Sequence, residues 1–126
     1  MQKQGRKKIL AVVDDLLFTV KIMDAAKRAG LDAEFVKSEK DLLDKAKDEN
    51  PLLIILDLNA NSVQPLKLIA KLKGGELKQI SLIGYLSHVQ GELKQAAQEA
   101  GANMVMARSA FSQNLQQILK RHAGVM

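Results

Sequence analysis

"LLIIL", residues 52–56, is apolar at every position. A strand with one wet face alternates apolar and polar residues, whereas a strand buried on both faces does not. The run therefore predicts a central strand of a parallel sheet, covered by helices on both sides. Asn50-Pro51 separates it from what comes before, and Asp57 ends it.

The pattern continues in both directions. "ILAVV" (9–13) is a second continuous apolar run, closed by Asp14 and Asp15. A helix follows over 17–29, with Val20, Met23, Ala26 and Lys27 at helical spacing and Ala29-Gly30 as its stop. "AEFV" (33–36) is a short strand. Ser38 and Asp41 resemble a capping box for a helix that reaches about Asp48, with Leu42, Leu43 and Ala46 as its apolar face. Beyond the central run, Pro65 to Lys73 forms a helix with Leu66, Ile69, Ala70 and Leu72 on one side, and Gly74-Gly75 ends it. "ISLIGY" (80–85) is the fourth strand. Ser87 and Gln90 cap the helix that stops at Ala100-Gly101. "NMVMA" (103–107) is the fifth strand, with Met104 and Met106 read as core filler. The last helix is expected from about Ala110 to His122, with Phe111, Leu115, Ile118 and Leu119 as its buried stripe.

Five strands alternating with five helices mean βαβ units, a parallel sheet and right-handed crossovers. The fold class is α/β: a flavodoxin-like (βα)5 domain of three layers with strand order 2-1-3-4-5. Ligands in such sheets bind outside the carboxyl ends of the strands, near the switch point.

At 126 residues, 47% of them hydrophobic, the chain is one domain with enough apolar mass for a core. It has no cysteine, which excludes disulfides, thiolate metal sites and cysteine nucleophiles. No signal peptide or membrane span is expected, and a cytoplasmic location is. The net charge is +5, and Lys3, Arg6, Lys7 and Lys8 supply +4 of it without any acid among residues 1–8. The division is a basic arm over 1–8 and a single domain over 9–126. Four charges are a small footprint for phosphate binding, and aromatics are 3% of the chain, so no nucleic-acid partner is expected. "KGGELK" lacks phosphate-loop spacing, and His88 and His122 are isolated surface histidines.

Asp57 ends its strand as Asp14 and Asp15 end theirs. In the order 2-1-3-4-5 those strands are neighbours about 5 Å apart. Three carboxylates then converge, raising one another's pKa values unless a cation separates them. Mg²⁺ suits one or two carboxylates plus a phosphoryl oxygen, and the backbone carbonyl of Asn59 adds a further oxygen donor.

On these residues the chain resembles the receiver domain of bacterial response regulators, over roughly residues 8–121. The matching segments are "VVDD" (12–15), Asp57 after the third strand, "AGL" (29–31) and "AGA" (100–102). The resemblance implies that Asp14 and Asp15 hold Mg²⁺ and that Asp57 accepts a phosphoryl group from a histidine kinase or phosphotransfer protein. It places a downstream protein partner at the face of helix 4, strand 5 and helix 5. It implies a signalling module rather than an enzyme. No helix-turn-helix or catalytic output segment is visible, so output is expected through a partner or a longer parent chain.

The chain also departs from that family. The lysine expected after strand 5 falls on Arg108, a planar fork in place of a compact ammonium. Arg108 either pairs with Asp57 or points to solvent. The hydroxyl expected at the end of strand 4 falls on Leu86, with Ser87 one residue late. The aromatic switch position is Val105. The loop "ANSVQPL" is rebuilt, with Asn61 and Ser62 keeping turn chemistry. Two other readings follow: a pseudo-receiver adaptor that works without phosphorylation, and a flavodoxin-like domain binding a small ligand, for which no phosphate loop is visible.

Overall fold

The computed structural model describes residues 7–87 and 91–124. Ten elements alternate along the chain: β1 (Lys8–Val12), α1 (Leu16–Arg28), β2 (Asp32–Phe35), α2 (Glu39–Glu49), β3 (Leu53–Asp57), α3 (Pro65–Lys73), β4 (Ser81–Leu86), α4 (Gly91–Ala100), β5 (Met104–Ala107) and α5 (Arg108–Ala123). The sheet order is β2-β1-β3-β4-β5 and every pairing is parallel. The central run is buried over 53–56, and β3 extends that burial to Asp57, while Leu52 at its start precedes the strand and is only partly buried.

Alternation along the strands divides the core in two. Ile9, Ala11, Leu53, Ile55, Ile83 and Tyr85 face α1 and α5 and pack on Phe18, Ile22, Phe111, Leu115 and Leu119. Leu10, Val12, Ile54, Leu56, Leu82 and Leu86 face α2, α3 and α4, where Leu42, Leu68, Ile69 and Ala97 receive them. Helices on both faces make the three layers.

Local signals set several boundaries. The Ser38 side chain caps α2, accepting from the Asp41 N–H at 3.1 Å. Asn50 closes the same helix in a left-handed conformation (φ 46°), which its short polar side chain tolerates. Pro65 opens α3, where its missing N–H costs nothing. The expected Ser87–Gln90 cap lies partly outside the described residues, since Gln90 is not among them; nor is His88.

Four details differ from the sequence expectation. The inward face of α1 is Phe18, Ile22, Ala25 and Ala26, while Val20 and Met23 are more than half exposed. The helix carries two apolar stripes, and tertiary packing selects the one with the aromatic ring. Met104 is exposed and Met106 only partly buried, because β5 is an edge strand. His122 is half-buried, its Nδ1 lying 2.9 Å from the Ile118 carbonyl. The last helix starts at Arg108 rather than near Ala110, directly after β5.

At the N-terminal end, Lys7 and Lys8 are built into the domain. Lys7 donates to the Ala123 carbonyl at the end of α5, at 2.7 Å. Lys8 opens β1 and pairs with Glu34 at 2.8 Å and Glu49 at 2.5 Å.

Candidate functional site

The carboxyl ends of β1 and β3 are adjacent, with Val12 opposite Leu56. The next residues along each strand bring Asp14, Asp15 and Asp57 to one edge of the sheet. Asp57 is the only buried charged residue among those described, at 7% exposure. One of its oxygens accepts from the Asn59 N–H at 2.9 Å, and the Asp14 N–H supplies a second bond. Burial nonetheless raises its pKa, the nearby Asp14 charge raises it further, and the two N–H bonds only partly oppose the shift.

The other two aspartates are held by the protein in different ways. Both oxygens of Asp14 receive the rebuilt loop: the Asn61 N–H at 2.7 Å and the Ser62 hydroxyl at 3.0 Å. That is how "ANSVQPL" finds its path, turning around Asp14. Asp15 caps α1, accepting from the Leu17 N–H at 2.8 Å. Its second oxygen is paired with Arg108.

Arg108 thus makes a contact that neither sequence reading of it contained. It neither reaches Asp57 nor lies free in solvent. It pairs with Asp15, and its guanidinium sits 4.5 Å from the centroid of the Phe18 ring. A cation at the first turn of α5 opposes the helix dipole, and the carboxylate of Asp15 offsets that cost.

The remaining positions divide by face. Leu86 is 2% exposed and packs in the α2–α3–α4 layer, away from the side on which the β3 alternation places Asp57. Val105 lies in that same layer, beside Gly84 on β4. Ser87 is exposed, and its N–H donates to Asn59 Oδ1 at 2.8 Å, tying the end of β4 to the loop after Asp57.

One residue that the spacing argument missed sits beside the acid. Tyr85 is the register partner of Asp57 and is 1% exposed. Its ring stacks on Phe18 (centroids 5.0 Å apart) and on Phe111 (4.9 Å), the three rings forming one cluster. The available signal was a lone tyrosine, the only one in the chain, inside the mostly aliphatic stretch "ISLIGYL".

No protein-family model matches the chain, and no curated protein matches it in sequence. Solved structures do. A putative response regulator from Chloroflexus aurantiacus superposes with TM-score 0.81 at 20% identity, covering 94% of this chain and 98% of that one. A CheY-like response regulator receiver domain protein from Methanospirillum hungatei gives 0.79 at 18%, covering 94% of each. A chemotaxis response regulator of Vibrio cholerae gives 0.78 at 20%, over 93% and 98%. The chain has the receiver-domain fold.

On this receiver fold, the acids occupy the strand ends at which the chain order reverses, between β1 and β3. Their oxygens are hard donors, and the effect of the Asp14 charge on Asp57 is what a cation would relieve. In donor chemistry the site therefore fits a divalent cation of the Mg²⁺ kind. Among the described residues, however, no three acids or histidines already stand close enough together to grip a metal. Asp14 would have to loosen from Ser62, and Asp15 from Arg108. No helix among the described residues is long and apolar enough to cross a membrane.

Proposed function

We propose that the chain is a receiver module of a two-component phosphorelay, in which Asp57 takes a phosphoryl group from the phosphohistidine of a kinase or phosphotransfer protein. The observation that carries this reading is Asp57 itself, a buried carboxylate at the carboxyl end of the central strand, next to two more aspartates. Burial of a carboxylate beside like charges is costly, and a group kept in that condition in a site is a candidate for a reactive role.

In the transfer, a carboxylate oxygen of Asp57 attacks phosphorus as the P–N bond breaks. The histidine leaves with the electron pair of that bond, and because its other ring nitrogen carries a proton it departs as neutral imidazole. Asp14, Asp15, Asp57 and the Asn59 carbonyl would hold Mg²⁺. When bound, that ion would neutralise the phosphoryl oxygens. The N–H groups of Asn59 and Asp14 hold the Asp57 carboxylate in one orientation for attack. Output passes to a partner protein at the α4–β5–α5 face, where exposed Met104 offers an adaptable contact. The role is signalling rather than turnover of a small-molecule substrate.

A second reading has its own observation. Every oxygen of Asp14 and Asp15 already has a donor or cation from the protein itself. A chain that never binds metal needs such internal partners, so a phosphorylation-independent adaptor also accounts for the resting geometry.

Incubation with a small phosphodonor, with and without Mg²⁺, separates the two. Intact mass should rise by one phosphoryl group in the presence of Mg²⁺ and stay unchanged in Asp57→Asn. An unmodified wild-type protein would leave the adaptor reading.

A further inference from the structure

The Tyr85 hydroxyl is the one buried side-chain nitrogen or oxygen among the described residues with no hydrogen-bond partner. A stranded polar group of this kind costs roughly 1–3 kcal/mol. Phenylalanine would fill the same space without that penalty. The resting fold therefore gains nothing from this oxygen.

Its position gives it a use. The β3–β4 register sets Tyr85 directly beside Asp57, on strands about 5 Å apart. Alternation turns both toward the α1–α5 layer, as Ile55 and Ile83 turn two residues earlier on each strand. The ring is packed into a three-ring cluster with Phe18 and Phe111, at interplanar angles of 29° and 9°, and at 1% exposure it has no open space to swing into. Burial, together with the Asp57 and Asp14 charges, keeps the phenol protonated and hence a donor.

No other hydroxyl at this edge is in the same condition. Ser62 donates to Asp14, and Ser87 is exposed, where water can serve it. Leu86, at the position where a hydroxyl was expected, has none and faces the other layer.

We propose that Tyr85 is a positioning residue of the acid site: its hydroxyl donates to an oxygen of the anion carried on Asp57. The inference rests on the phosphoacceptor reading and deepens it. A phosphoryl group adds three acceptor oxygens to the Asp57 side chain, beside a donor that has no partner. The missing hydroxyl at Leu86 is then replaced from the neighbouring residue on the opposite face.

Beryllofluoride with Mg²⁺, a non-covalent stand-in for a phosphoryl group on a carboxylate, provides the test. Wild type and Tyr85→Phe are titrated by calorimetry and melted with and without the probe. Without it, Tyr85→Phe should melt at or above the wild-type temperature. With it, the variant should bind about tenfold more weakly or worse, as expected for loss of a hydrogen bond to a charged acceptor. Tyr85 emission, the only tyrosine signal in a chain without tryptophan, should change when wild type binds. Equal affinity of the two proteins overturns the role of Tyr85 while leaving Asp57 as acceptor. A lower melting temperature for unliganded Tyr85→Phe overturns it too, since the hydroxyl would then have a partner at rest. Failure of both proteins to bind removes the phosphoacceptor reading, and this inference with it.

Discussion

At the scale of single residues, Asp57 sets the terms. Its folded-state pKa is raised, so the folded protein holds this proton more readily than the unfolded chain does. Its contribution to stability therefore falls as pH rises through that range and recovers as pH drops. Asp57→Asn keeps an acceptor for the Asn59 N–H and removes the buried charge. At neutral pH the variant should melt about 2–4 °C above wild type. The difference should shrink as pH falls toward the folded-state pKa of Asp57. A variant that melts lower at neutral pH would mean that the carboxylate is stabilised by contacts stronger than those described. Arg108 is the second decisive residue. Its pair with Asp15 is about one-third exposed on both sides, so Arg108→Gln should cost only about 0.5–1 kcal/mol. Because Asp15 is released, the same variant should bind Mg²⁺ more tightly than wild type, followed through Tyr85 emission. An unchanged affinity would show that Arg108 does not compete for Asp15.

At the scale of elements, the ion pairs along the β2 edge fasten the outermost strand on that side. Glu34 on β2 pairs with Lys8 on β1 and with Lys45 on α2, at 2.8 and 2.7 Å. Lys45 first, then Lys8, lowers the pKa of Glu34 in the folded state. Stability from Glu34 is therefore present above its unfolded pKa and lost as pH falls through its folded value. Glu34→Gln should melt lower than wild type at pH 7, and the two should converge only once pH has fallen through the depressed folded-state pKa of Glu34. Turn geometry gives a second expectation. Gly101 has φ +119°, and a Cβ there would stand 2.7 Å from the Lys73 Cβ. Gly101→Ala should destabilise by roughly 1–3 kcal/mol by thermal melting; a neutral result would mean that α3 and the α4–β5 turn yield together. Most of these elements were legible because period and punctuation agree: apolar runs of strand length, helices with caps, glycines after them. The failures have physical causes. In α1, Leu16, Leu17, Val20 and Met23 form a stripe as regular as the buried one, and only packing of Phe18 against Tyr85 and Phe111 decides between them. The start of α5 carries no side-chain cap, so nothing in the residues marks Arg108 as its first position.

At the scale of the whole molecule, the fold follows from one asymmetry: β3 is buried on every residue and ends in a charge. Apolar faces on both sides demand two helical layers, and the charge must emerge where the sheet ends. The acid triad was legible because its three members end their strands in the same way. Its wiring was not, because hydrogen bonds from the 59–62 loop and the reach of Arg108 depend on backbone paths that spacing does not specify. Tyr85 escaped for the same reason, its meaning resting on the β3–β4 register. The likeness to solved receiver domains, near 20% identity, places the fold, and the chemistry rests on Asp57. The most direct measurement is therefore site mapping. After treatment with phosphodonor and Mg²⁺, borohydride reduces an acyl phosphate to the alcohol, releasing phosphate and leaving homoserine at the modified position. Peptide mass spectrometry should find homoserine at residue 57 and at no other aspartate; homoserine at Asp14 or Asp15, or none in the chain, would contradict the account.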